Sequence, residues 1–188
     1  MLAWSFADLL VAAKEGIATN KLPENIPGLM RNYLYIENSR VPDAIDAEIV
    51  AIVAKALAWA SLEENLHPLP ISYKNALAAL RRKEVIEELC DLGYPDTFMD
   101  EEMRGSLIKY LENSLKIIKT FEGNRGSLGF TLDPLAECLA MHLIELYRDD
   151  EAGWRQFLRK AKALENVPRL RRASCCPYRI VVNVSGRS

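Results

Sequence analysis

A mainly α-helical chain carrying one β-hairpin is predicted, and three observations predict it. Apolar residues recur at three- and four-residue spacings through most of the 188 positions. Helix stop and start signals such as Gly16, Gly93 with Pro95, and Asp133 with Pro134 separate those stretches. One segment, "IIKTFEGNRGSLGFTLDPLAECL" from Ile117 to Leu139, breaks the period and reads as strand, tight turn, strand and abrupt helix start. With 49% hydrophobic residues the chain can build a core for one domain or two small ones.

A first helix is expected over residues 2–15, with Leu2, Phe6, Leu9, Leu10 and Ala13 on one face and Gly16 as its stop. In "KLPENIPG", Pro23 belongs to the turn, Asn25 can cap, and Ile26 and Pro27 open a second helix, because the N–H that proline lacks is unpaired in a first turn. From Ala44 to about Glu64 apolar residues lie nearly all round the helix, which predicts a central, buried element. A proline-rich connector follows, then a Ser72 cap and helix that continues through "RRKEVIEELCDL" to Leu92. The next helix, Asp100 to Leu115, has acids in its first turn and Leu107, Tyr110, Leu111 and Leu115 on one face. Ile117, Ile118 and Phe121 favour a strand, "GNRGS" tolerates positive φ, and "LGFTL" returns. Asp133 is then expected to cap a helix carrying Leu135, Leu139, His142, Leu143 and Leu146, and a last helix is expected over Glu151 to Glu165. Helix, helix, two-stranded wing, helix is the order of a winged helix.

Composition excludes several classes. The longest apolar stretch, Ile49 to Leu62, is interrupted by Lys55 and falls short of the roughly 18 residues of a membrane span. Asp8 stands where a signal peptide would carry a basic flank, so a cytoplasmic protein is expected. A net charge of -2 gives no electrostatic footprint for nucleic acid or anionic lipid. The charge is uneven: after Glu165 come Arg169, Arg171, Arg172, Arg179 and Arg187 and no acid.

No catalytic constellation is legible. Cys90 and Cys138 lie in helical apolar patterns, and the adjacent Cys175 and Cys176 lack metal-ligand spacing. His67 and His142 have no nucleophile or carboxylate at a telling spacing. Gly123, Gly126 and Gly129 are followed by a strand and lack the Lys-Ser/Thr pair of a phosphate loop. A DNA-reading role would fall to Arg104, Lys109 and Lys116, with Lys119 and Arg125 in the wing; Glu101, Glu102 and Glu112 oppose it.

"AAKEG…KLPENIPGLMRNYL" followed by "FTLDPLAECLA" resembles the region just after the NACHT module in bacterial, especially cyanobacterial, signal-transduction NTPases of the STAND class, over roughly residues 1–165. The resemblance implies a helical domain, residues 1–70, a winged-helix domain, 71–165, and a basic tail, 166–188, expected to be loosely ordered. It implies a non-catalytic module that passes nucleotide state onward, with an upstream NACHT NTPase in cis or trans as partner. Pro23, Asn25, Ile26, Pro27, Phe130, Leu132, Asp133, Pro134, Leu135 and Glu137 fall in its two motif blocks. Many relatives carry Phe-x-His-x-x-x-x-Glu after the wing, the histidine reaching phosphate. Leu132 stands at that histidine's position and cannot donate a hydrogen bond. No cofactor is therefore expected in this chain; ATP or ADP with magnesium belongs to a full-length relative. A DNA-binding winged-helix regulator and a stand-alone protein-interaction adaptor are the alternative expectations, with no membrane partner.

Overall fold

The computed structural model describes residues 26–95, 100–121, 126–146 and 151–163. The expected helix over 2–15, Pro23, Asn25, Cys175, Cys176 and the basic tail lie outside the described residues.

Helix α1, Ile26–Ser39, buries Met30, Leu34, Ile36 and Asn38. Helix α2, Ala47–Leu62, begins at Asp46, whose carboxylate accepts the Glu48 N–H at 2.8 Å. As its apolar circumference predicts, α2 is central: eleven of its residues are buried, among them Val53, Ala54, Ala56 and Ala58 with no exposure at all. The alanines let neighbouring helices approach closely, and full burial of each Ile, Val or Leu is worth about 1.5–3 kcal/mol. The connector after α2 folds back, with Leu69 N–H donating to Ser61 O at 3.1 Å and Leu66 in the left-handed region at φ 52°.

Strand β1 is two residues, Ile71–Ser72, and the Ser72 hydroxyl caps α3, Tyr73–Ala79, by accepting the Asn75 N–H at 3.1 Å. The continuous helix expected to Leu92 is broken here. Leu80 ends α3, Arg82 takes an extended conformation at ψ 145°, and α4 runs Lys83–Asp91. The break lets Leu80 and the Val85/Leu89 face of α4 both enter the core, which one straight helix would not. Gly93, at φ 89°, ends α4 as expected: Tyr94 N–H reaches Leu89 O and Gly93 N–H reaches Cys90 O, the paired bonds of a left-handed helix stop.

Asp100 caps α5, Glu101–Lys109, by accepting the Met103 N–H at 2.7 Å. The helix then widens into a π turn over Tyr110–Ser114, where Leu115 N–H bonds Tyr110 O at 3.1 Å. Strands β2, Ile118–Phe121, and β3, Ser127–Phe130, form the expected hairpin in the register Ile118 to Phe130 and Phe121 to Ser127. The hairpin is not a two-stranded unit: β1 pairs antiparallel with the other edge of β3, giving a sheet of order β1-β3-β2. A two-residue strand has no alternation to read, so the sequence showed only its capping serine. Helices α6, Asp133–Leu146, and α7, Glu151–Ala163, complete the described chain.

Helix α2 packs on α6 most extensively and also on α1, α3 and α4. Buried residues from Met30 to Ala140 form a single cluster running from α1 to α6. Among the described residues no helix is long and apolar enough to cross a membrane.

Candidate functional site

The helix expected to face a DNA groove, α5, and the hairpin after it carry mixed charge, with Glu101 and Glu102 exposed in the first turn of α5. Helix α4 carries Glu84, Glu87, Glu88 and Asp91 against Lys83, itself paired with Glu87 at 3.0 Å. Arg104, expected on a DNA-facing surface, is only 6% exposed. Lys109, Lys116 and Lys119 are exposed, with Lys119 Nζ 4.8 Å above the Phe121 ring, and Arg125 lies outside the described residues.

At the step from β3 into α6 the structure assembles most of the second motif block. Phe130 is buried opposite Ile118, and Leu135 is fully buried, whereas Asp133 and Pro134 are exposed. The expectation that Asp133 caps α6 is corrected by one residue: the Leu132 carbonyl accepts the Ala136 and Leu135 N–H groups, so Leu132 holds the capping position and Asp133 is the first helical residue. Leu132 is half-buried against the core. Although Glu137 reaches solvent, partial burial pushes its carboxyl above the usual 4.5; the Asp133 carboxylate one turn earlier adds to the shift and His67 opposes it. His67 Nδ1 lies 3.2 Å from Pro68 O. Ile26 and Pro27 lie in the first turn of α1, a helix that packs on α6.

A second centre was not legible in sequence. Asn38, 4% exposed near the end of α1, accepts the Tyr110 hydroxyl at 2.7 Å and donates from Nδ2 to Ile45 O at 2.8 Å. One buried amide thus joins α1, the loop before α2 and the first residue of the π turn. Within that turn Glu112 Oε1 accepts the Thr120 N–H at 2.7 Å, closing the outer edge of β2. Asparagine in a helix and tyrosine on an apolar face are ordinary residues; only their 72-residue separation collapsing to a hydrogen bond reveals the pairing.

Glu63, just past α2, gathers a third set of contacts. Its carboxylate meets Arg82 from the α3–α4 turn at 2.5 Å, and its carbonyl accepts Lys160 Nζ from α7. Phe157 of α7 lies 6.3 Å from the Trp59 ring of α2. Cys90 and Cys138 are half-buried thiols. A cavity of about 10 Å³, lined by Leu57, Ile71, Ile118, Leu128 and Phe130, has room for no more than a water molecule. Among the described residues no group of three His, Cys, Asp or Glu side chains is placed to hold a metal ion.

Comparison with protein-family models, curated proteins and solved structures finds no match.

Proposed function

We propose that this chain is a non-catalytic coupling module of a NACHT-type signal-transduction NTPase, a helical segment followed by a winged helix that transmits nucleotide state to effector or sensor regions. The observation that carries the reading is the element order: a buried helix, a short strand, a helix-turn-helix, a further helix and a hairpin, with strands in the order β1-β3-β2. The motif blocks "KLPENIPGLMRNYL" and "FTLDPLAECLA" add to it, since the second lies at the exit from the hairpin. The same element order serves DNA binding. Buried Arg104 and the exposed acids Glu101 and Glu102 of the same helix weigh against that alternative, because phosphate neutralisation needs exposed cations on the helix that faces the groove. The Asn38–Tyr110 bond favours coupling, since it ties the helical segment to the helix that leads into the hairpin.

The test has two arms. Calorimetric titration with ATP and ADP in the presence of magnesium is expected to be flat for this chain, because Leu132 cannot bind phosphate. A NACHT NTPase module of a bacterial relative is expected to co-elute with it and to change its hydrolysis rate. Micromolar nucleotide binding, or salt-sensitive retention of duplex DNA without any effect on the NTPase, would overturn the reading.

A further inference from the structure

Three departures from regular structure coincide between Tyr110 and Thr120. The helix end is widened, with Leu115 N–H bonding Tyr110 O five residues back and Ile117 N–H bonding Leu111 O six residues back, both at 3.1 Å. Lys116, between them, sits at φ 54°, a left-handed conformation that disfavours any residue with a Cβ. The Glu112 carboxylate, inside the widened turn, holds the Thr120 N–H of the edge strand.

Each feature has a regular counterpart. In a plain α-helix Leu115 N–H would bond Leu111 O, Lys116 could return to right-handed backbone, and everything after the turn would rotate by about 100° and shift by about 1.5 Å. Ile117 and Thr120 would then lose their present acceptors. The widened form is held by burial of Leu115 and Ile117, 2% and 1% exposed, by the Glu112 bond, and by the seating of the hairpin itself, with β3 paired to β1 and Ile118 and Leu128 in the core. The regular form is favoured about fivefold or more by release of Lys116.

We infer that Tyr110–Lys116 is a two-state register switch: the widened turn dominates, and a minor straight state moves the β2–β3 hairpin by one residue relative to α1 while Tyr110 stays anchored on Asn38. The inference stands on this local geometry and does not depend on which protein the module serves. In the straight state Glu112 leaves Thr120, so the outer edge of β2 opens together with the register shift.

Amide hydrogen exchange on the full chain, read residue by residue by NMR, tests it. Ile117 and Thr120 should exchange through one shared opening, at least about tenfold faster than Val50 and Val53 of α2, which need global unfolding. Lys116→Gly removes the penalty of the left-handed state, so it should slow Ile117 and Thr120 by about fivefold. Glu112→Ala should accelerate both amides, because the edge bond and the turn belong to one opening. Exchange of Ile117 only at the global rate, no slowing in Lys116→Gly, or acceleration of Thr120 alone in Glu112→Ala would each overturn the switch and leave an ordinary widened helix end.

Discussion

Replacing Tyr110 with phenylalanine removes one oxygen and should reveal how strongly α1 is tied to the helix leading into the hairpin. The lost bond is 2.7 Å long, and its acceptor belongs to a residue only 4% exposed. A typical hydrogen bond contributes about 0.5–1.5 kcal/mol, and a buried acceptor left without a donor costs about 1–3 kcal/mol. Water cannot readily replace the hydroxyl at Asn38, so Tyr110→Phe is expected to cost about 1.5–3 kcal/mol. Asn38→Ala should cost a similar amount, through the bond to Ile45 O as well as a small cavity. The double variant should cost less than the sum by at least about 1 kcal/mol, because either change alone already breaks the bond. Urea denaturation of the four proteins measures it. Additivity to within about 0.3 kcal/mol, the level of independent sites, would refute the claim that this bond couples the two elements.

Gly129 packs beneath the Phe121 ring: a Cβ there would lie 2.8 Å from Cε2, so Gly129→Ala should cost about 1–3 kcal/mol by thermal denaturation, and much less in a Phe121→Ala background. Asp100→Ala should cost about 0.5–2 kcal/mol because it removes a side-chain cap. Asp133→Ala and Asp133→Asn should each cost at most about 1 kcal/mol and equally, since only the interaction of charge with the helix dipole is lost; a clear advantage of asparagine in chemical denaturation would restore Asp133 as the cap. Glu137 binds its proton more tightly in the folded state, so its contribution to stability is lost as pH rises from the ordinary 4.5 through the raised folded value. Glu137→Gln should therefore melt higher than the wild type at pH 7 and not at pH 3; a pH-independent difference would refute the assignment.

Sequence by itself determined what depends on near neighbours. The circumference of α2, the cap at Ser72, the stop at Gly93 and the hairpin turn at Gly126, with φ 74°, each follow from a few adjacent residues whose backbone preferences agree. The motif residues Phe130, Leu132 and Leu135 were legible as a strand-to-helix step, but their burial and the one-residue shift of the cap were not. Only the tertiary structure decided features whose energy comes from distant partners. β1 exists because β3 offers it an edge; two residues cannot declare a strand. The helix expected through Arg82 breaks because the core takes up Leu80 as well as Leu89, and Arg82, half-buried at the break, pairs with Glu63. The π turn at Tyr110–Ser114 was not legible either; Leu111, Leu115 and Ile117 are all buried around it. Asn38 and Tyr110 pair across 72 residues, and local propensity carries no trace of a contact formed only when the chain has closed on itself.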